Sequence, residues 1–449
     1  MRTSAVNSKY IFSQGKRFEG KFYLNDNSFL SMEVQRHAEK TKPLSELATV
    51  FNPPVFKRQF CQQTERSVPY FQSSDVPMAE ENSQVYVFKG QAENLNLLVK
   101  KDDILVTGFG TIGNTRLVSK YQDGTCYANN VCRIRANEGV YKGFVYAFLS
   151  SKFGISQLNK NASGSVVRYI EAPGIKKTLI PQFSDAFQKD IDTLIQDSVT
   201  LREAATEALE EAHNIIEQNF EIARSKKSSC VSVKTILSSH NKRFEAFYHT
   251  SINRSVFDYI KTNFEYKNLG ELTESIFRPG IFKRDYVSNG ITFLGGSDIL
   301  LSIPKSDKKL SIRQVNNMPE LKVKKDWILV TCGGTIGNTV LIDRQLEKCV
   351  ISQHVMRIVP KDDILKGYLY AVLSSEIGKK LITMFTTGSV IPQIEAHHLE
   401  LVPIPLLKEE IMKHIDNLVS IYVTKIEDSK EKEAKAVSMV EQEIEKWNK

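Results

Sequence analysis

Two stretches of this chain carry apolar residues at alternating spacings of four and three. In the first, Phe187, Ile191, Leu194, Ser198, Leu201, Ala205, Ala208, Ala212, Ile215, Asn219 and Ile222 share one helical face, a heptad seam with two polar breaks. In the second, Ile411, Ile415, Leu418, Tyr422, Ile426, Val437, Val440, Ile444 and Trp447 mark one face, with a polar gap at Ser429 and Glu433. Neither stretch contains Pro or Gly after its start. Each therefore predicts a helix of about 40 residues, or about 60 Å at the α-helical rise. Two such helices bury their stripes most simply against each other as a coiled coil, through Ile191, Leu194, Leu201 and Ile215 on one and Ile415, Leu418, Val440 and Ile444 on the other. The alternative is an ordinary core helix in each place.

Elsewhere the period is shorter. Asp102–Thr107 and Asp326–Thr331 predict short buried strands bounded by Gly-rich turns, and Val131–Ile134 and Val355–Val359 predict further strands. Gly143–Ser151 and Gly367–Ser375 space their aromatics and leucines as helices do. These pairs expose a duplication. Lys100–Thr115 (KKDDILVTGFGTIGNT) and Lys324–Thr339 (KKDWILVTCGGTIGNT) agree at thirteen of sixteen positions, at an offset of 224. The same offset relates Gly164-Ser165-Val166 and Ile170-Glu171 to Gly388-Ser389-Val390 and Ile394-Glu395. Upstream it drifts by a residue or two, pairing Arg17-Phe18-Glu19 with Arg243-Phe244-Glu245 and Phe56-Lys57-Arg58 with Phe282-Lys283-Arg284. The reading is two copies of one mixed domain, each followed by a long helix: 1–183, 184–226, 227–407 and 408–449. The polar segment 225–239 is the expected boundary between halves.

Charge follows that division. The net charge of +8 is modest, but 1–183 carries 24 Lys/Arg against 15 Asp/Glu and 227–407 carries 24 against 17. The helical stretches reverse this, with 4 against 10 in 184–226 and 8 against 10 in 408–449. Basic globular units suit a polyanion partner, and the acidic stretches should stay off it. No apolar run approaches a membrane span, and the N-terminal stretch has no signal-peptide core. The six cysteines contain no C-x-x-C, and the two copies do not preserve them. A reducing cytoplasm is the expected setting, without disulfide framework or zinc.

Three motifs invite catalytic readings. Gly108–Gly113 is a literal G-x-G-x-x-G after a strand, but a dinucleotide or S-adenosylmethionine site needs a helix to start there. Asn114–Val118 reads as another strand and the second copy has Cys332 for Gly108, so a tight strand-to-strand turn explains the glycines. Asn52-Pro53-Pro54 resembles the opening of the Asn-Pro-Pro-Tyr motif of adenine methyltransferases, whose fourth residue is an aromatic that stacks on the flipped base. Here it is Val55, and the reading is a turn. His397 and His398 are adjacent, so on a helix they point apart, with no third ligand at i+4 spacing.

Differences between copies suggest recognition. Asn129-Asn130 faces Gln353-His354, and Arg168-Tyr169 faces Pro392-Gln393. Such side chains can make paired hydrogen bonds to base edges, whereas the shared Lys57-Arg58 and Lys283-Arg284 suit phosphates. Candidate DNA contacts are these together with Thr111, Asn114 and Ser165 in the first copy and Thr335, Asn338 and Ser389 in the second. For any one of them the alternative is solvated surface polarity.

The chain resembles the specificity subunits of Type I, or closely similar, restriction-modification systems. The resemblance rests on Phe-Lys-Arg ahead of a Ser-Asp segment (56–75, 282–298), ILVT…GTIGN (104–114, 328–338), Ile351-Ser352-Gln353-His354-Val355, GYLYAVLSS (367–375), Gly388-Ser389, an Ile-Pro element and the terminal helix, nearly all in order twice. It implies an α+β fold with two target-recognition domains held apart by a pair of long antiparallel coiled-coil helices in pseudo-two-fold symmetry. Each domain would read half of a split DNA site in double-stranded DNA. Two methyltransferase subunits would dock and methylate adenine, and restriction subunits would join them. S-adenosylmethionine, ATP and Mg would sit on those partners, leaving this chain no cofactor and no active site. Divergence at the reading positions predicts an asymmetric target. The competing readings are a stand-alone DNA-modifying enzyme using the glycine loop and a protein-only scaffold. Cofactor binding by the chain alone would favour the first, and salt-insensitive behaviour without retention on duplex DNA the second.

Overall fold

The computed structural model of the chain describes residues 8–13, 26–79, 83–163, 168–220, 231–239, 242–388 and 392–448. The fold is mixed α+β, and contacts divide it into two compact units, Met1–Glu203 with Asp428–Lys449 and Ala204–Glu427. The Arg17-Phe18-Glu19 stretch and Ile222 lie outside the described residues. Within 225–239, Val233–Ser238 forms a short helix, because Ser232 caps it by accepting from the Thr235 amide at 3.1 Å.

The first unit contains β1 (Thr41–Pro43), β2 (Ala48–Phe51), β3 (Phe60–Cys61), β4 (Ser67–Phe71), β5 (Tyr86–Phe88), β6 (Ile104–Thr107), β7 (Thr115–Leu117), β8 (Cys126–Tyr127), β9 (Val131–Ala136) and β10 (Leu179–Pro181). Its main sheet is antiparallel, ordered β2-β9-β6-β7. A second sheet, β3-β5-β4-β8, is mixed, and β1 pairs with β10. The second unit repeats the plan with β11 (Tyr266–Asn268), β12 (Thr273–Phe277), β13 (Tyr286–Leu294), β14 (Lys309–Leu310), β15 (Ile328–Thr331), β16 (Thr339–Leu341), β17 (Val350–Ile351), β18 (Val355–Pro360) and β19 (Pro403–Pro405). Its sheets are β12-β18-β15-β16, β14-β13-β17 and β11-β19.

The ILVT strands are buried at every position, and apolar up to the closing threonine, because both of their faces are covered. Ile104 and Val106 of β6 join the core beneath the helices Lys142–Ser150 and Lys152–Lys160, whereas Leu105 joins a smaller core with Phe71, Val118 and Tyr127. In β15, Ile328 and Val330 likewise part from Leu329. Alternate side chains of a strand point to opposite faces, so a central strand with two cores reads as a continuous apolar run.

Each unit grips its long helix in the same way. The first long helix spans Asp185–Gln218 and the second Glu409–Glu445. The Gly143 amide donates to Asp192 Oδ1 at 2.6 Å, and the Gly367 amide to Asp416 Oδ1 at 2.7 Å. A Cβ at either glycine would sit 2.8 Å from that carboxylate oxygen, so only glycine admits the helix. Farther along, the Lys120 amide donates to Glu203 at 2.7 Å and the Arg344 amide to Glu427 at 3.0 Å. Carboxylates of the acidic stretches are thus spent on amides at helix starts and turns, where an anion is favoured.

The buried arc of the helices is wider than a heptad stripe. Ile191, Ile415, Leu418, Val440 and Ile444 are buried, but Leu194, Leu201 and Ile215 are only half-buried. Their neighbours Ile195, Val199 and Ile216 are buried instead. A Cβ on Gly143 would lie 3.0 Å from the Ile195 Cβ, and one on Gly367 3.1 Å from that of Val419. These positions face the domain, so each helix buries a second stripe there. Of the polar breaks, Ser198, Ser429 and Glu433 are buried as well, whereas Asn219 is exposed just past the end of the first long helix. Ser198 and Ser429 donate to each other's carbonyl at 2.9 and 2.8 Å, and Glu433 accepts from Arg202 and from the Tyr146 hydroxyl, both at 2.6 Å. Buried polar pairs of this kind fix register.

His213, on the part of the first long helix in the second unit, has Nε2 2.9 Å from Ser374 Oγ, and burial pushes its imidazole down to about 4. The unfolded chain protonates this ring near pH 6.5, so stability is full above that pH and is lost as pH falls toward 4. The loss is expected to be about 2 kcal/mol, allowing for partial exposure to water. Urea unfolding at pH 7.5 and 4.5 should show this component in the wild type and not in His213→Gln. A difference between the two proteins that stays constant with pH would disprove the assignment.

Candidate nucleic-acid interface

The glycine motif is a turn between paired strands. In the first unit β6 and β7 are antiparallel neighbours, with Val106 opposite Thr115, and no helix starts at the glycines. Gly110 and Gly113 have φ of 74° and 88°, matched by 81° and 90° at Gly334 and Gly337, a region that side chains disfavour. Thr107 ties the turn from inside. Its hydroxyl donates to the Thr111 carbonyl at 2.5 Å and accepts from the Asn114 amide at 3.0 Å; Thr331 accepts from the Asn338 amide at 3.1 Å. Thr111 and Thr335 are exposed, while Asn114 and Asn338 are half-buried where the turn ends.

Three other segments meet this turn. In the first unit the Gly108 amide donates to the Asn130 carbonyl at 3.1 Å, and the Ile170 amide donates to the Gly108 carbonyl at 2.8 Å. Asn52 bridges two more strands of chain, donating to the Asn129 carbonyl at 3.1 Å and accepting from the Ala172 amide at 2.8 Å. Phe109 and Tyr169 stack on this surface with centroids 5.4 Å apart, and Arg168 is exposed and bonded to the Asn159 carbonyl. The second unit has the same junction in different side chains. The Cys332 amide donates to the His354 carbonyl at 3.1 Å, and the Ile394 amide to the Cys332 carbonyl at 3.2 Å. Arg278 reaches Glu395 at 2.6 Å where Asn52 stood, and Gly333 and Gln393 replace the stacked rings.

The candidates thus fall into two groups per unit. Thr111, Asn129, Asn130 and Arg168 share one junction, as do Thr335, Gln353, His354 and Gln393 in the other unit. Lys57 and Arg58, and Lys283 and Arg284, lie on the loop that leaves the same junction toward the smaller sheet. Lys57, Arg58, Lys283, His354 and Gln393 are exposed. Gln353 is only 6% exposed; it accepts from Arg284 at 3.3 Å and lies 3.3 Å from the His354 ring. It can therefore orient those two groups. Asn130 keeps a buried Oδ1 that accepts no hydrogen bond among the described residues. Ser165 and Ser389 lie outside the described residues.

Sequence reasoning passed over Arg133 and Arg357, both fully buried. Arg133 donates to the carbonyls of Leu97 (2.8 Å), Tyr127 (3.0 Å) and Val131 (3.2 Å), closing the loop that carries Asn129 and Asn130. Arg357 donates to Ile351, Ser352 and Val355, closing the loop of Gln353 and His354. Burial pushes both guanidinium groups down to about 10, so they remain charged at neutral pH. The available signal was an arginine at the same place in both copies, between apolar neighbours of a strand.

His397 and His398 have a structural setting. His398 is buried, accepts from the Glu395 amide at 3.2 Å and stacks on Phe385. Among the described residues no group of three His, Cys, Asp or Glu side chains is placed to hold a metal ion, and no helix is long and apolar enough to cross a membrane.

Residues 261–436 match the family model of the Type I restriction modification DNA specificity domain. Among solved structures the chain is similar to the Type I restriction-modification system S subunit from M. genitalium, at 14% identity and a TM-score of 0.31, covering 90% of this chain and 94% of that one. It is also similar to the HsdS subunit from Thermoanaerobacter tengcongensis, at 15% identity and a TM-score of 0.29, covering 90% and 95%. No curated protein matches significantly. Residues 261–436 thus carry the match to the Type I restriction modification DNA specificity domain, and the turn, strand and helix motifs within them recur in the first unit.

Proposed function

We propose that this chain is the non-catalytic, sequence-reading subunit of a restriction-modification complex and that it recognises a bipartite, asymmetric DNA target. Each unit reads one half-site through its junction. Lys57, Arg58, Lys283 and Arg284 hold phosphates, and Thr111, Asn129, Asn130 and Arg168, or Thr335, His354 and Gln393, face base edges. The long helices form an antiparallel coiled-coil pair in pseudo-two-fold symmetry, set the spacing between half-sites and dock two methyltransferase subunits. Those partners carry S-adenosylmethionine and methylate adenine, and restriction subunits bring ATP and Mg. One observation carries this reading: the same junction is built twice on the same main-chain hydrogen bonds, with different side chains on its surface. A repeated scaffold with divergent tips is what two different half-sites require.

The test is to co-express the chain with its methyltransferase partner in an unmethylated host and sequence the methylome. One split motif with unlike halves is expected, and the purified chain alone should not bind S-adenosylmethionine. An unsplit or palindromic motif, or cofactor binding by the chain alone, would refute the proposal.

A further inference from the structure

The loop after β2 and its counterpart after β12 share a feature not explained by the turn they make. Val55 is 86% exposed and Ile281 is 94% exposed, and the two stand at matching places, directly before Phe56-Lys57-Arg58 and Phe282-Lys283-Arg284. Bare aliphatic side chains at both places gain nothing from folding, since burial is what stabilises them. Nor are they on slack chain. Pro53 and Pro279 are buried two residues before each tip. Phe56 and Phe282, one residue after it, pack into the small cores, edge-on to Tyr70 at 6.4 Å and to Phe293 at 6.3 Å. Gln91 donates to the Lys57 carbonyl at 2.9 Å, and Gln314 to the Lys283 carbonyl at 2.7 Å. Each tip is anchored on both sides and followed by two cations.

We propose that Val55 and Ile281 are apolar wedges that enter a groove of the DNA and pack against bases, one in each half-site, while the adjacent Lys-Arg pairs hold the flanking phosphates. This rests on the DNA-reading function proposed above. The neighbouring charge selects the occupant: an aliphatic tip beside paired cations matches bases flanked by phosphates, where apolar side chains contact thymine methyls or part base steps.

The experiment uses the complex of the full chain with its methyltransferase subunits and fluorescence anisotropy on the methylome-defined duplex, on duplexes with one half-site scrambled, and across a salt series. Val55→Ala is expected to weaken binding about tenfold through the half-site of the first unit only, and Ile281→Ala likewise through the other, as the loss of two or three buried carbons implies. The salt slope should stay at the wild-type value, whereas Lys57→Ala or Lys283→Ala should reduce it by about one. Melting temperatures should not change, because the side chains are exposed. If the wild-type complex cannot distinguish the site from scrambled duplex, the DNA-reading proposal itself fails. If it can, and both variants bind within twofold of wild type, only the wedge is overturned. Variants that shed methyltransferase subunits while the intact complex keeps its DNA affinity would also overturn it, assigning the tips to a protein contact.

Discussion

Arg357→Met is expected to destabilise the second unit by about 3 kcal/mol or more, one of the largest effects of any single substitution in the chain. The guanidinium is fully buried and donates to three main-chain carbonyls, those of Ile351, Ser352 and Val355. Methionine fills similar space but leaves those acceptors buried and unsatisfied, at about 1–3 kcal/mol each, partly offset by relief from burying a charge. Arg357→Lys should fall between, since an ammonium cannot fan its donors across three acceptors as a guanidinium does. Recognition should suffer selectively, because this loop carries Gln353 and His354. The half-site read by the second unit should be lost and the other kept. Urea unfolding, with binding to half-scrambled duplexes, measures both. A stability change below about 1 kcal/mol would show that the carbonyls find other donors. Arg133→Met should mirror this result in the first unit.

Removing one heptad from 185–222 together with the facing heptad of 411–447 is expected to shorten the spacer of the target while leaving both half-sites alone. Seven residues of helix span about 10 Å, which is about three base pairs along a duplex. The cut should spare Asp192, Glu203, Asp416 and Glu427, whose carboxylates hold each domain on its helix. It should also spare Ser198, Ser429 and Glu433, whose buried hydrogen bonds set the register. Methylome sequencing reads the outcome, and an unchanged spacer would mean that the helices are not the ruler.

Much of this protein was legible in the chain because the chain repeats itself. A strand with three consecutive apolar residues before its closing threonine, met twice at one offset, indicates a central strand between two cores, and β6 and β15 are such strands. The glycines followed by Asn-Thr and more strand pattern indicated a turn rather than a cofactor loop, and positive φ at Gly110, Gly113, Gly334 and Gly337 is why glycine stands there. The seam of the long helices was legible only in part. A heptad reading weighs one contact surface, whereas Ile195, Val199 and Ile216 are buried because the same helix also packs on a domain. Gln353 reads in sequence as a surface group like Asn129, yet it is turned inward toward Arg284.

The sequence by itself determined the duplication, the alternation of strand and helix, and the placing of basic charge on the domains and acidic charge on the helices. These depend on period and composition, which are properties of neighbours along the chain. Only the tertiary structure decided which polar residues are buried as ties and which apolar ones are left bare. Arg133 is enclosed where the Leu97 carbonyl, 36 residues away in sequence, meets those of its own loop, Arg357 is enclosed by a loop that other strands pack over, and Val55 and Ile281 are exposed because anchors on either side hold them out. A residue's burial is set by what folds against it from elsewhere, and no local pattern encodes that.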